Sequence, residues 1–331
     1  MSVKAITYEK FGPPDILTLK EVEKPACGDN EVLIKVYAAS VNAYDWHMLR
    51  AKPFLIRFMG SGFLKPKHKI LGVDVAGQVE AVGKNVERFR PGDEVFGDTS
   101  GSGGGAFAEY ACAHEDVLAS KPAGITVEQA AAVPMAAVTA LQGLRDKGRI
   151  QPGQKVLIDG ASGGVGTFAI QIAKSFGAEV TAVCSTRNLD MARSIAADHV
   201  IDYTQEDFTK TGQRYDLILA VNGFHPILGY KRALNAGGTF VMAGGGMAQL
   251  FQIIFLGPLI SMTGSKKFVN YVAQPNQKDL EFMAELLETG KVKPVIDRRY
   301  PLSEVAQAIR YVEDEHARGK VVITVEHNSK T

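Results

Sequence analysis

A glycine-rich turn near the centre of the chain constrains the fold most strongly. The apolar pattern KVLID (155–159) leads into ASGGVG, and the sequence then continues as the helical pattern GTFAIQIAKSF. Ala161, Gly163 and Gly166 take the three positions of the GxGxxG spacing. Because this spacing lies between a strand and a helix, it has the context that a dinucleotide-binding turn requires. The alternative is a tight strand-to-helix turn with no ligand.

Each small residue of the turn has its own predicted role. Gly163 would let the backbone approach a pyrophosphate, and Gly166 would let the helix pack closely on the strand. The helix N-terminus adds free N–H groups and a partial positive charge. Ala161, in place of the first glycine, predicts that the backbone there needs no positive φ.

The next strand pattern ends in VTAVCSTRN (180–188), and it lacks the acidic residue that usually ends this strand. Ser185 and Arg187 are hydrogen-bond donors instead. An acidic side chain accepts a hydrogen bond from the adenosine ribose 2′-OH, whereas an arginine accommodates a 2′-phosphate. We therefore predict NADPH as the cofactor in preference to NADH. The alternative is that Arg187 only begins the following helix at the surface.

The pattern of predicted secondary structure changes at Gln151. Short strands and turns precede it, which predicts a closed or sandwiched β-domain, with the glycine run 103–105 as a flexible hairpin or loop. After it, strands alternate with helices, which predicts a doubly wound parallel sheet. The tail adds two amphipathic helices and a strand. A chain of 331 residues is long enough for about two domains.

Composition and charge exclude several classes of function. The net charge of +1 gives no support to nucleic-acid binding, which normally uses a basic stripe. The most apolar run, 250–262, is shorter than a membrane span and is broken by Gly257 and Pro258. The N-terminus enters strand-like sequence without an apolar signal core. We expect a soluble, cytoplasmic protein.

The cysteines and histidines give no metal-ligand spacing. We predict that the cysteines are reduced, mostly buried thiols. They are Cys27, Cys112 and Cys184. The histidines of the N-terminal part are interpreted as surface or packing residues: His47, His68 and His114.

Several longer motifs carry a resemblance to a known family. They are AASVNAYDWHML, ILGVDVAGQVEAVGKNVERFRPGDEVFG, AAVPMAAVTALQGL, ASGGVGTFAIQIAKSFGAEVTAVCSTRN, ADHVIDYTQEDF and HARGKVVITV. Together they cover essentially the whole chain, which resembles the medium-chain dehydrogenase/reductase superfamily. More narrowly, it is similar to the zinc-free quinone oxidoreductase (zeta-crystallin-like) branch, and most of all to its chloroplast-envelope and reticulon-interacting mitochondrial members.

The resemblance implies an α/β fold with two domains. A GroES-like β-domain would consist of residues 1–122 and 270–331. A Rossmann domain with a doubly wound parallel sheet would consist of residues 123–269. The active site would lie in the cleft between them.

The resemblance also implies chemistry without a metal. Zinc-dependent members hold their metal with Cys, His and Cys, but the corresponding positions here are Asn42, Val73 and an alanine near Ala136. Neither Asn nor Val replaces a thiolate or an imidazole at zinc. A dihydronicotinamide can pass hydride to an electrophilic carbon or a quinone while the protein orients the substrate. NADPH-dependent reduction of quinones or α,β-unsaturated carbonyls is the implied activity.

Site residues follow from the same resemblance. Asn42 would donate to a carbonyl or to the nicotinamide amide, Tyr44 would supply a proton or line the pocket, and Asp45 lies on the same loop. Thr139 would lie beside the nicotinamide and Tyr203 near the 2′-phosphate. The remaining cofactor contacts would come from the glycine turn, the ends of two later strands and the last strand: Ser162, Gly163, Gly164, Val165, Gly166, Asn222, Gly244, Arg318 and Lys320.

Other interpretations stay open at this stage. Residues 54–69 could form a substrate lid, a peripheral membrane contact or an ordinary loop. The apolar run 250–262 could line a pocket, cover a dimer edge or pack in the core. A homodimer is a further expectation. A non-catalytic NADPH-binding sensor is the alternative function, followed by an alcohol dehydrogenase or an enoyl-thioester reductase.

Overall fold

The computed structural model describes residues 1–54, 57, 62–222, 225–314 and 317–327. They form two compact units, the first with residues 1–135, 275–289 and 296–331 and the second with residues 136–274 and 290–295. Residues 123–135 thus belong to the first unit, which extends beyond the boundary at 122 that the sequence suggests.

Strands dominate the first unit and alternate with helices in the second. Within the described residues the strands are β1 (Ser2–Thr7), β2 (Thr18–Glu23), β3 (Glu31–Val41), β4 (Asp74–Val82), β5 (Glu94–Asp98), β6 (Tyr110–His114), β7 (Leu118–Ser120), β8 (Lys155–Asp159), β9 (Glu179–Cys184), β10 (His199–Asp202), β11 (Tyr215–Ala220), β12 (Leu234–Met242), β13 (Lys267–Asn270), β14 (Ile296–Pro301) and β15 (Lys320–Thr324). The α-helices are α1 (Ala43–Arg50), α2 (Val127–Ala131), α3 (Pro134–Gln142), α4 (Gly164–Ser175), α5 (Leu189–Ser194), α6 (Ile227–Ala233), α7 (Met247–Thr263), α8 (Gln277–Glu288) and α9 (Val305–Glu313).

The first unit is built around a mixed, mostly antiparallel sheet. Its strands follow the order β14-β15-β3-β4-β5-β7, and β6 also pairs with β3. The last strand, β15, pairs antiparallel with β3, so that Val321 lies opposite Val41. This pairing brings the tail of the chain to the point where β3 enters α1. The alternating burial along β3 reflects one face of the strand packing on the core.

The second unit is the parallel sheet that the alternating pattern predicts, in the order β10-β9-β8-β11-β12-β13. Its central strand β8 is buried over VLID, as expected for a strand covered on both faces. Because the order reverses beside β8, the carboxyl ends of β8 and β11 flank the position where such sheets bind ligands. The predicted α/β class with a β-rich domain and a parallel-sheet domain is therefore confirmed.

The apolar run 250–262 forms most of helix α7, with Pro258 inside the helix. Several of its large apolar side chains are exposed, among them Phe251, Phe255 and Leu259. No helix in the described part of the chain is long and apolar enough to cross a membrane. The second segment with several possible interpretations, 54–69, lies partly outside the described residues. Its interpretation as a lid, a membrane contact or a loop stays a prediction.

The cysteines correct one expectation from the sequence. Cys27 and Cys112 form a disulfide with a Cα–Cα distance of 5.6 Å, although 85 residues separate them. Cys184 is a free, buried thiol, as predicted. The expectation of three reduced thiols was wrong because the loop before β3 folds back onto β6, a contact that sequence spacing does not reveal.

Candidate functional site

The glycine turn between β8 and α4 has the predicted backbone. Gly160 takes the left-handed conformation, with φ at +85°, so Ala161 needs no positive φ. A Cβ on Gly166 would lie 2.3 Å from the Gly160 carbonyl oxygen, far inside contact distance. Gly166 therefore allows α4 to pack directly on the turn, as the sequence predicts.

Gly163 differs from Gly166 in what surrounds it. It is the N-cap of α4, and a Cβ on it would meet only the Gly160 oxygen, at 3.8 Å. The packing of the protein does not require a glycine here, so the open space before the helix is free for a ligand. Within the described part of the chain no side chain caps this N-terminus, which leaves its N–H groups and the positive end of the helix dipole available to a phosphate. The turn fits a dinucleotide.

The end of β9 presents the two predicted donors. Ser185 follows β9 directly, and its hydroxyl accepts a hydrogen bond from the Asn188 amide at 3.1 Å. Arg187 is exposed and forms no ion pair within the described part of the chain. Asn188 is a residue that the sequence did not single out. It is buried, and its Oδ1 has no hydrogen-bond partner among the described atoms.

A carboxylate that the sequence analysis missed lies beside these donors. Asp202 ends the neighbouring strand β10, opposite Cys184. It accepts hydrogen bonds from the hydroxyls of Thr186 and Thr204 and from the Thr204 N–H. Hydrogen bonding, above all from Thr186, lowers the pKa of Asp202, which is therefore ionised at neutral pH. Sequence proximity did not reveal Asp202, because only strand pairing places it next to β9.

Other predicted cofactor residues lie at the same carboxyl edge of the sheet. Tyr203 is 59% exposed, and its N–H donates to the Cys184 carbonyl at the end of β9. The Asn222 nitrogen lies 2.8 Å from the position of a Cβ on Gly160. Gly244 follows β12, where a Cβ would lie 2.2 Å from the Val221 oxygen. The structure thus brings Tyr203, Asn222 and Gly244 to the strand ends near the glycine turn.

Thr139 lies on α3 and is partly buried. Its carbonyl accepts a hydrogen bond from the phenol of Tyr271, in the segment after β13. This contact fixes the helix turn that carries Thr139 without using its hydroxyl.

A buried carboxylate ends β8, directly before the glycine turn. The Asp159 side chain accepts a hydrogen bond from the Tyr230 phenol at 2.6 Å. Burial raises the pKa of Asp159. The Tyr230 ring also lies edge-on to His225, with 5.9 Å between ring centroids. The sequence contains no local signal for this cluster, because its members come from separate elements.

The first unit has its own polar site where β3 meets α1. Asp74 is buried at the start of β4 and accepts hydrogen bonds from Ser40 at 2.6 Å and from the Asn42 amide at 2.8 Å. Its other oxygen accepts from the Met135 N–H at 2.9 Å. Lys320 is only 2% exposed, and its ammonium bonds Asp74, the Asn42 amide oxygen and the Val41 carbonyl.

This network corrects the prediction for Lys320. All three donors of its ammonium are directed to groups inside the first unit, so none is left for a cofactor phosphate. Its charge compensates the buried Asp74 carboxylate instead. Arg318, two residues earlier, is exposed and has no ion pair among the described residues. Its contact with a cofactor phosphate stays a prediction.

Asp45 has a structural arrangement of the same kind. It is completely buried, and its oxygens accept the N–H groups of Asn42 at 2.8 Å and Gly72 at 3.0 Å. Burial raises the pKa of Asp45 to about 7, although these backbone hydrogen bonds oppose the rise. Asp45 caps α1 and ties it to the segment before β4. Its neighbour Tyr44 instead lines a pocket with Tyr8 and His68, so His68 is more than a surface residue.

The positions that carry zinc ligands in zinc-dependent relatives have other roles here. The Asn42 amide is engaged by Asp74 and Lys320, and Val73 is buried in the apolar core. A group of metal-ligating side chains does occur among the described residues, formed by Cys27, Glu31 and Cys112, but its two cysteines form the disulfide.

Two family models match the chain. The alcohol dehydrogenase GroES-like domain matches residues 28–123, and the zinc-binding dehydrogenase model matches residues 195–323. The first match lies within the β-rich unit, and the second begins in the parallel-sheet unit and continues into the tail.

Full-length relatives agree with these matches. A chloroplast envelope quinone oxidoreductase homolog from Arabidopsis thaliana is 34% identical, over 96% of this chain and 97% of the relative. An NADPH-dependent alkenal/one oxidoreductase, chloroplastic, from Arabidopsis thaliana is 34% identical over 97% of this chain and 79% of the relative. Among solved structures, the quinone oxidoreductase from Coxiella burnetii superposes with a TM-score of 0.86 at 30% identity, covering 98% of this chain and all of that one. The chain belongs to the medium-chain dehydrogenase/reductase superfamily and, within it, to the quinone oxidoreductase branch.

Proposed function

We propose that the protein is an NADPH-dependent reductase of quinones or of the activated C=C bond of α,β-unsaturated carbonyls. The observation that carries the proposal is the Arg187 guanidinium, which lies beside Ser185 at the carboxyl end of β9 and has no ion-pair partner among the described residues. Relatives named for quinone and alkenal/one reduction support the same acceptor classes.

The residues of the second unit fit the cofactor in three places. The open space at Gly163 and the free N–H groups of α4 suit the pyrophosphate. Ser185 and Arg187 suit the 2′-phosphate, with Tyr203 nearby. Thr139, Asn222 and Gly244 are proposed to contact the nicotinamide half. Ser162, Gly164 and Val165 complete the turn around the phosphates.

Asp202 bears directly on the choice of cofactor. An ionised carboxylate next to the ribose would favour NADH if its oxygens were free to accept the 2′-OH. Here Thr186 and Thr204 already donate to both oxygens. Arg187 carries the opposite charge and has no ion pair with any residue that the structure describes, so we infer that the phosphorylated cofactor is preferred.

The reaction adds a hydride and a proton to the acceptor. A dihydronicotinamide held at these residues would supply the hydride and would itself be oxidised. In an enone the hydride forms a C–H bond at the carbon β to the carbonyl, and the C=C electron pair moves towards oxygen. A proton from a protein hydroxyl or from water then completes the saturated ketone. We propose that Tyr44 contacts the carbonyl, while Asn42 and Asp45 hold the turn that carries Tyr44.

Arg187→Ala tests the cofactor assignment. We expect the NADPH dissociation constant to rise by about 10- to 100-fold, because a charge-assisted contact contributes roughly 1.5–3 kcal/mol. The NADH dissociation constant should stay the same. Arg193→Ala is the matched control, since Arg193 is also exposed but is paired with Asp190 on α5. An unchanged NADPH-to-NADH ratio for Arg187→Ala would contradict the assignment.

A panel of acceptors tests the reaction. NADPH oxidation at 340 nm is measured with quinones, short enals, enones and long-chain ketols. Turnover on at least one class is expected. Tight NADPH binding without turnover on any acceptor would instead favour a non-catalytic NADPH-binding sensor.

We further propose that catalysis is independent of zinc. The support is the Asn42 amide, which is held by Asp74 and Lys320, and the apolar Val73 at ligand positions of zinc-dependent members. Stoichiometric, tightly bound zinc in the purified active protein would contradict this proposal. A cytoplasmic location also stays a prediction, and both Arabidopsis relatives carry chloroplast names.

A homodimer is the assembly that we propose. Its support lies in α7, whose exposed apolar face is formed by Phe251, Phe255 and Leu259. This helix packs beside β13, which pairs only with β12 among the described strands. An edge strand can pair with another strand, and an exposed apolar face can be buried by association. Together they form a surface to which a second copy of the chain can bind.

A further inference from the structure

The first unit contains a small pocket with three polar side chains that the sequence analysis did not combine. Tyr8, Tyr44 and His68 line it. Its other lining residues are Met48, Leu71, Gly72, Val73, Gly103 and Gly104. Tyr8 directly follows β1, Tyr44 lies in the first turn of α1, and His68 lies in the segment before β4.

The polar groups of this pocket lack hydrogen-bond partners within the described residues. Tyr8 is only 4% exposed, yet its phenol oxygen has no partner there. The same holds for the Tyr44 phenol and the His68 ring. The hydroxyl of a mostly buried tyrosine normally finds a partner, and here that partner would be water or a ligand that enters the pocket. Two phenols left free at one pocket indicate a place for a ligand's acceptor atom.

The charge state of the pocket narrows the class of ligand. Burial raises the pKa of both tyrosines, so both remain neutral O–H donors at physiological pH. Burial, and then Lys67, lower the pKa of His68, which favours the uncharged imidazole. Asp45 and Asp98 lie close enough to Tyr44 to raise its pKa as well. A pocket with neutral donors backed by carboxyl groups suits an uncharged oxygen acceptor and disfavours an anion.

Glycines give the pocket its shape. Gly103 takes φ of +91°, and a Cβ there would lie 2.2 Å from the His68 ring. Gly72 takes φ of +90°, and a Cβ there would lie 2.7 Å from Phe107. The glycine run 103–105 therefore has a packing role, because only a residue without a side chain at Gly103 allows the His68 ring to contact the loop.

We propose that Tyr8 and Tyr44 together donate hydrogen bonds to the carbonyl or quinone oxygen of the acceptor, which makes Tyr8 a catalytic residue of the proposed reaction. The proposal rests on the proposed function and adds the residue that recognises the substrate oxygen. His68 forms the wall beside the two phenols. The acceptor class is an uncharged enone or quinone, and the carboxyl groups behind the pocket disfavour a carboxylate ligand.

The two phenols would act most strongly in the transition state. Negative charge develops on the acceptor oxygen as the hydride arrives, and preorganised donors stabilise that charge more than the neutral carbonyl. Loss of one donor of this kind can lower kcat by about 100- to 1,000-fold. With two phenols sharing one oxygen, we expect about 10- to 100-fold for each single variant.

Tyr8→Phe, Tyr44→Phe and the double variant test the proposal. Each should lower kcat with an enone while the NADPH dissociation constant and the melting temperature stay near wild type. Tyr37→Phe is the matched control, because Tyr37 is a partly buried tyrosine of the same unit that bonds Gln78 outside the pocket. Wild-type-like kcat/KM for both Tyr8→Phe and Tyr44→Phe would overturn the proposal.

A second readout separates this proposal from the proposed function. The infrared C=O stretch of an isotope-labelled enone bound to the protein reports hydrogen bonding without any turnover. A shift to lower frequency in wild type that is reduced in Tyr8→Phe supports the proposal even if no acceptor is turned over. A bound carbonyl with the same frequency in wild type and in both variants would overturn it, whether or not the enzyme is active.

Discussion

Single residues at the strand ends underlie the proposed preference of the second unit for NADPH. The position of Arg187 and Ser185 at the end of a strand could be predicted from the sequence because the strand pattern before them is recognisable, and their contact with the cofactor stays a prediction. The position of Asp202 could not be predicted, since it reaches the same place only through the pairing of β10 with β9. Its ionised carboxylate accepts hydrogen bonds from Thr186 and Thr204 on both oxygens, so the proposal of NADPH still rests on Ser185 and Arg187.

Lys320 shows how a residue-level prediction fails. From the sequence, a lysine just before the last strand is expected to be exposed and able to bind a phosphate. The antiparallel pairing of β15 with β3 instead buries Lys320 beside Asp74. Tyr8 shows the opposite case, because nothing in its local sequence marks it as part of a site. Both outcomes depend on contacts between distant segments, which a single sequence does not display.

Asp98 gives a prediction about pH and stability. Burial raises its pKa to about 6, and the nearby Asp74 carboxylate raises it further. Between about pH 4 and pH 6 the unfolded chain loses this proton while the folded chain keeps it, so the free energy of unfolding should fall as pH rises through that window. The loss is about 2 to 3 kcal/mol and is complete above pH 6.

Asp98→Asn should remove this pH dependence. The amide oxygen can still accept the Ser100 N–H, which lies 2.7 Å from the Asp98 carboxylate. Denaturant unfolding of the two proteins between pH 4.5 and pH 8 measures the effect. If the difference between variant and wild type is constant across this range, Asp98 does not titrate as described.

At the scale of elements, the turn between β8 and α4 contains two glycines with separate roles. Gly163→Ala places a methyl group in open space, so the melting temperature should stay near wild type while NADPH binds more weakly. Gly166→Ala forces α4 away from the turn, because its Cβ would lie 2.3 Å from the Gly160 oxygen. It should therefore lower the melting temperature.

The comparison of these two variants tests the dinucleotide role of the turn. Thermal unfolding and NADPH titration are measured for both. If Gly163→Ala binds NADPH as tightly as wild type, the pyrophosphate does not lie at this helix N-terminus.

The disulfide joins the loop before β3 to β6 and closes a long segment of chain. Such a crosslink restricts the unfolded chain and typically contributes about 2 to 4 kcal/mol. The paired variant Cys27→Ser/Cys112→Ser should therefore unfold at lower denaturant concentration. Wild-type protein under reducing conditions is the control, because it differs only in the bond itself, whereas the free thiol of Cys184 is the same in all samples. A wild-type midpoint for the paired variant under oxidising conditions would show that the bond does not form in solution.

At the scale of the whole molecule, the sequence predicts the two-unit architecture well. Hydrophobic periodicity identifies the parallel sheet, since β8, β9 and β11 are short, buried and separated by helical patterns. The first compact unit extends past the expected boundary at 122 to residue 135, because α2 has no strong pattern of its own and packs on β3 and β4 in that unit. The proposed substrate pocket could not be predicted from the sequence, because its lining residues, like the two cysteines of the disulfide, come from segments that are far apart along the chain.

Assembly into a homodimer is tested on the apolar face of α7. Phe255→Glu should convert the dimer into a monomer, because Phe255 is 67% exposed and lies at the centre of the face. Leu19→Glu is the control, an exposed apolar residue on β2 in the first unit. Light scattering after size-exclusion chromatography gives the mass of each. A monomeric wild type, or a dimeric Phe255→Glu, would contradict the proposal.

Transfer of label from cofactor to substrate tests the central claim most directly. NADPH that carries deuterium at both C4 positions is mixed with the protein and an enone, and the product is examined by NMR and mass spectrometry. The proposed function predicts one deuterium atom at the carbon β to the carbonyl of the saturated ketone. Oxidation of the labelled cofactor without deuterium at that carbon, or no saturated product with any enone or enal tested, would contradict hydride transfer to an activated C=C bond.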